Sequence, residues 1–175
     1  SRLVERGHHV EVLTGCAASY VDWADVFIPR SDLDNGVLVH RLPGNRRDNS
    51  LFGPLHDRAA GPSSGSGRRS LALATAWANM IGPNLHGLET WLRRHHSDFD
   101  AVVFSGYMYS PSIFGLPAIA PFVPTVFQSV AHGEMPLRLP VLHPLFDHAA
   151  GLNFLTPEEA DLVCTRFSPS GVCRV

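Results

Sequence analysis

Ala101-Val102-Val103-Phe104-Ser105 is an unbroken apolar run, too short for a helix, with an amphipathic helical stretch before it and a proline-rich one after it. A strand with no polar alternation must be covered on both faces, which is the mark of an inner strand in a parallel sheet. Parallel neighbours in turn require crossover helices. The rest of the chain supplies both kinds of element in alternation.

Val10 to Leu13 reads as a strand ending at Thr14-Gly15, and Val37 to Leu42 as another, opened by the Asn35-Gly36 turn signal. Thr125 to Gln128, Gly151 to Leu155 and a run beginning at Gly171 are further strands. Ser1 to Arg6 has helical character and runs into Gly7, a natural residue just past a helix end. Leu71, Ala74, Ala78, Ile81, Leu85, Leu88 and Leu92 recur at helical steps, predicting one long amphipathic helix kinked at Pro83. Leu142 to Ala149 is a further helix. Thr156-Pro157-Glu158-Glu159 opens another with a capping box, threonine at the cap and glutamate three positions on. Residues 15–35 are expected as a polar loop anchored by Tyr20 and Trp23, and residues 43–67 as a flexible loop. The expected class is α/β: a Rossmann-like, mostly parallel sheet flanked by helices.

Composition narrows the chemistry. All fourteen basic residues are arginine, against sixteen acidic ones. Without lysine, neither a Schiff base nor a P-loop can form within the chain. The balanced charge argues against nucleic-acid binding, and Arg46-Arg47, Arg68-Arg69 and Arg93-Arg94 read as solvated doublets. Three irregularly spaced cysteines make no disulfide framework. No apolar run approaches the ~18 residues of a membrane span, and no signal-peptide pattern is visible. The expected compartment is the cytoplasm.

Ligands of open α/β sheets bind beyond the carboxyl ends of the strands. Three such ends carry candidates: Thr14-Gly15-Cys16, Gly106-Tyr107-Met108-Tyr109, and Val130-Ala131-His132-Gly133-Glu134. His132 leads, because imidazole donates or accepts a proton near neutral pH and Gly133 beside it would admit a substrate close to the backbone. A turn histidine capping backbone groups is the plain alternative. His132-x-Glu134 also begins the zinc deaminase signature, but the required Pro-Cys-x-x-Cys is missing. No nucleophile elbow or dinucleotide fingerprint occurs. The His8-His9 and His95-His96 doublets point their rings apart and make poor chelators. No metal and no cofactor is expected. Tyr107 either packs or presents its hydroxyl, and Cys16 reads as a small buried residue.

Several segments, in order, resemble the amino-terminal domain of a GT-B, family 4 retaining glycosyltransferase. They are Leu3 to Thr14 (LVERGHHVEVLT), Cys16 to Trp23, Asn35 to Pro43 (NGVLVHRLP), Phe99 to Leu116 (FDAVVFSGYMYSPSIFGL), Ala131 to Leu137 (AHGEMPL) and Gly151 to Leu162 (GLNFLTPEEADL). The resemblance implies that residues 1–175 form one Rossmann-like domain, the acceptor side of a two-domain enzyme. It would lack its first strand and its carboxy-terminal donor domain, and be inactive alone. His132 then matches the histidine that contacts the transferred sugar. Tyr107, Gly133, Glu134, Thr14 and Gly15 become substrate-side contacts, although Gly133 stands where the family often has an acidic residue. The implied partners are a nucleotide-sugar donor and a sugar, lipid or small-molecule acceptor, with room for peripheral membrane contact. The competing readings are a non-catalytic sugar-binding module of the same fold and a non-transferase enzyme such as a sugar-nucleotide epimerase.

Overall fold

A computed structural model describes residues 2–61 and 68–175. It contains two sheets. The first has the order β1-β3-β2, with β1 (Glu11–Gly15) parallel to β3 (Val37–Leu42) and β2 (Ser31–Asp34) antiparallel to it. The second is all-parallel, in the order β4 (Val102–Ser105), β5 (Thr125–Gln128), β6 (Gly151–Asn153), β7 (Val172–Arg174). Helices α1 (Arg2–Glu5), α2 (Asn49–Ala60), α3 (Arg68–Ile81), α4 (Leu88–His95), α5 (Ser110–Ile119), α6 (His143–His148) and α7 (Pro157–Phe167) separate the strands. This is the expected Rossmann-like α/β class. No helix among the described residues is long and apolar enough to cross a membrane.

β1 and β4 point the same way without pairing. His9, just before β1, lies over Phe99, just before β4, at 6.4 Å between ring centroids. Trp23, beyond the end of β1, meets Tyr109, beyond the end of β4, edge-on at 5.4 Å. The carboxyl ends of both sheets therefore share one side of the molecule. Among the described residues β4 pairs on one side only and so is an edge strand, which corrects the expectation of an inner strand covered on both faces. Phe104 is buried but Val103 is 66% exposed.

Four further elements differ from expectation. β2 lies inside what read as a loop: Asn35 and Gly36 both take positive φ, closing a two-residue hairpin that pairs Asp34 with Val37. Tyr20 is 70% exposed and anchors nothing, whereas the Trp23 indole donates to the Ile81 carbonyl at 2.6 Å.

The supposed loop 43–67 contains the twelve-residue α2; the Ser63–Gly67 part of that expectation lies outside the described residues. Gly53 and Pro54 read as breakers. However, the Asp48 carboxylate caps the helix by accepting from the Ser50 N–H, and Phe52 and His56 pack against the Trp77 ring of α3. Tertiary burial outweighs a local proline penalty here. The long kinked helix is two helices, α3 and α4. Gly82, at φ +72, breaks them apart, and a Cβ there would sit 2.7 Å from the Trp23 ring. Finally, α5 carries prolines at both ends of a sequence apolar all round, so no amphipathic period announces it. Six of its ten residues are buried.

Candidate functional site at the carboxyl ends of β4 and β5

The β4–β5 pairing continues past the strands. Gly106 N–H donates to the Gln128 carbonyl at 2.9 Å, and Tyr107 N–H to the Ser129 carbonyl at 3.0 Å. Gly106 takes φ +82, turning the chain so that Tyr107 drops into the core with 2% exposure. α5 follows at once, pinned by the Ser110 hydroxyl donating to Ala78 and the Ser112 hydroxyl to Ser105.

On the β5 side, Ser129 and Ala131 are buried and Val130 between them takes φ +54. A β-branched residue in the left-handed region carries on the order of 1–3 kcal/mol of strain unless its surroundings impose it. The chain then emerges. His132, Gly133 and Glu134 are exposed, closed by a tight turn in which Glu134 N–H donates to the His132 carbonyl at 2.7 Å. Pro136 and Leu137 re-enter the core immediately and fix the far end of this short loop. An added Cβ at Gly133 would meet open space, so the loop's own packing does not demand glycine there.

Within this frame the Tyr107 hydroxyl is buried with the Glu134 carboxylate as its polar neighbour, and it makes no well-formed hydrogen bond among the described residues. Burial, then the nearby Glu134 carboxylate and Tyr109, push its pKa well above the ordinary phenol value. It is a neutral donor at any physiological pH, with a carboxylate acceptor beside it. The His132 ring is exposed, forms no hydrogen bond to a described residue, and lies near enough to Glu159 to act electrostatically on its carboxylate. A donor, an acceptor and an imidazole at one strand edge suit a ligand rich in hydroxyl groups.

The sequence-predicted residues thus divide. Tyr107, His132, Gly133 and Glu134 come together. Thr14 and Gly15 lie at the end of β1 in the other sheet, with Thr14 facing Arg41 and Gly15 against Leu85. Cys16 is fully buried, and burial, with Asp25 beside it, pushes its thiol pKa up, which suits a packing role. Arg47 is no solvated residue: its guanidinium donates to the carbonyls of Ile81, Tyr20 and Val21 and stacks on Phe52. Beside it an open depression of about 650 Å³ is lined by Val21, Asp22 and residues 46–50, beyond the ends of β1 and β3. No group of three or more His, Cys, Asp or Glu side chains among the described residues is placed to hold a metal ion.

The residue that sequence reasoning missed is Glu159. In a capping box its side chain would turn back to the Thr156 N–H. Only half of that motif forms: Thr156 Oγ1 accepts from the Glu159 N–H at 3.2 Å. The carboxylate instead accepts from Leu155 N–H at 2.9 Å, Ala131 N–H at 2.7 Å and Ser129 Oγ at 2.5 Å. Burial alone would raise its pKa. The hydrogen bonds from Ser129, Leu155 and Ala131, with His132 nearby, outweigh burial and hold it below the usual carboxylate value. The local motif explains the residue so well that nothing in the sequence hinted at a second role.

No known protein family and no curated protein matches the sequence.

Proposed function

We propose that the chain is the acceptor-side half of a retaining glycosyltransferase, which moves a sugar from a nucleotide-sugar donor to a hydroxyl acceptor. One observation carries the reading. An exposed His132, the exposed Glu134 carboxylate and the buried Tyr107 hydroxyl next to that carboxylate lie at the adjoining carboxyl ends of two parallel strands. An exposed imidazole and an exposed carboxylate two residues apart can donate to and accept from the hydroxyls of a sugar.

In transfer, the acceptor hydroxyl oxygen bonds to the anomeric carbon on the face from which the donor phosphate leaves, and its proton passes to the departing phosphate oxygen. His132 holds the sugar and stabilises positive charge developing at that carbon. Glu134 grips acceptor hydroxyls, and the buried Tyr107 beside it holds that carboxylate in place. The nucleotide would be held mainly by residues outside this chain, so the isolated chain is inactive in this reading.

The test is full-length protein assayed against a panel of nucleotide sugars. Loss of one preorganised contact at the reacting centre typically lowers turnover by about 10²–10³, so His132→Ala should do so. Unchanged turnover would refute the reading. A lipid acceptor draws support from the exposed apolar stretch of Tyr20, Val21, Val26, Phe27 and Ile28. Co-sedimentation with anionic vesicles, reduced by Phe27→Ser with Ile28→Ser, checks it, and no sedimentation of wild type removes the lipid.

A further inference from the structure

The carboxylate of Glu159 is buried 27 residues along the chain from His132 and touches the segment that carries that histidine at two points, Ser129 Oγ and the Ala131 N–H. Between those two points lies Val130, at φ +54. A single acceptor thus bridges a strained residue from both sides. The other oxygen is held by Leu155 N–H at the end of β6, on the neighbouring strand. Ser129 in turn accepts the Tyr107 N–H through its carbonyl, so the clamp reaches the β4 end as well.

We infer that Glu159 is the positioning residue of this site, clamping the left-handed Val130 turn so that His132 and Glu134 project from it in one fixed direction. The inference rests on the transfer reading above for what the aimed histidine does, but the clamp itself is independent of it. The physical argument is substitution by default. Left to itself, valine leaves the left-handed region for an extended conformation. In this turn that rotation would swing the following peptide and carry the Ala131 N–H off the carboxylate. A buried charge that has lost its donors is strongly unfavourable, so carboxylate and turn enforce each other. His132 is exposed, and beyond the clamp its direction is set only by the tight turn that the Glu134 N–H closes on its carbonyl and by the re-entry at Pro136 and Leu137.

Glu159→Gln is the variant of choice, because it keeps the size and one acceptor oxygen while opposing an amide N–H₂ to a backbone donor. In it, amide hydrogen exchange at Ala131 should speed up at least about tenfold, while Phe127 and Leu152 in the strands keep wild-type rates. Ser129→Ala, which removes one donor and leaves the carboxylate two, should give a smaller acceleration at the same amide. In the full-length protein, turnover should fall about 10- to 100-fold at unchanged acceptor KM, a loss comparable to misplacing a catalytic group by about 1 Å. Combining Glu159→Gln with His132→Ala should lower turnover no further than His132→Ala alone, because residues acting as one unit are not additive.

Unchanged exchange at Ala131 in both variants would overturn the clamp. A double variant losing the product of the two single factors would show that Glu159 acts on the fold at large and not through His132. Should His132→Ala keep wild-type turnover, the transfer reading fails, and exchange at Ala131 still decides whether Glu159 holds the turn.

Discussion

The two sheets are held by different physics. Every residue of the continuous apolar core lies between Ala59 and Phe167, around the four-stranded parallel sheet. In the segment carrying the three-stranded sheet, Cys16 is the one fully buried hydrophobic residue described. Leu13 of β1 packs against that core, but polar contacts hold much of that sheet. Glu11 bridges His9 and His40 at 2.8 and 2.6 Å, and His40 reaches Ser31 on β2 and packs on Trp91. Apolar burial is non-directional and insensitive to pH, whereas hydrogen-bonded ion pairs depend on protonation and geometry. The parallel sheet, which carries His132, is therefore the rigid half.

The largest expected effect tests the core side of that contrast. Phe127 is fully buried in β5 against Phe146, so Phe127→Ala should cost about 3–5 kcal/mol by denaturant unfolding. A loss below about 1 kcal/mol would mean that the parallel sheet is not the stability centre. Next comes the joint between the sheets. Trp23→Ala removes the contact with Tyr109 and the hydrogen bond to Ile81, with an expected loss of about 2–4 kcal/mol. Hydrogen exchange should then quicken in β1 and β3 more than in β5. Uniform quickening would erase the distinction between the halves.

The third effect belongs to the polar sheet and depends on pH. Burial raises the Glu11 pKa, but hydrogen bonds from His40 and His9 outweigh it and set the folded value below the ordinary one. Its contribution is then fully present above the unfolded pKa, about 4.3, and is lost as pH falls through the lowered folded value. Glu11→Gln should cost about 1 kcal/mol at neutral pH, and the gap from wild type should close in strong acid. A gap that persists below about pH 2 would assign the effect to packing.

The smallest effect is the most diagnostic for the site. Tyr107→Phe removes a buried hydroxyl that makes no well-formed hydrogen bond among the described residues, so stability should stay within about 0.5 kcal/mol of wild type or rise. Under the transfer reading, acceptor KM should rise nonetheless. A stability loss above about 1 kcal/mol would show that the hydroxyl is already bonded within the protein.

Where burial followed a simple period, the sequence was readable. The strands at 10–15, 37–42, 125–128 and 151–155 and the capped helix after Thr156 follow from alternation, apolar runs and cap chemistry, and so does the α/β class. α2 and α5 escaped for a physical reason: proline inside a helix is a local cost that packing against Trp77 or complete burial overrides, and neither is written in the segment itself. The site was half legible. Strand-end position pointed to Tyr107, His132, Gly133 and Glu134, but the same rule grouped Thr14 and Gly15 with them, because it cannot tell which strands share a sheet.

Local preferences, which act over a few residues, were enough to determine alternation, turn positions and helix starts. Only the tertiary structure decided that β4 pairs with β5 and leaves β1 aside, that Tyr107 is buried beside the Glu134 carboxylate, and that the Glu159 side chain leaves its own helix cap for a turn 28 residues away. Those outcomes depend on which distant donors a buried group meets once the chain is packed, and no sequence window contains both partners.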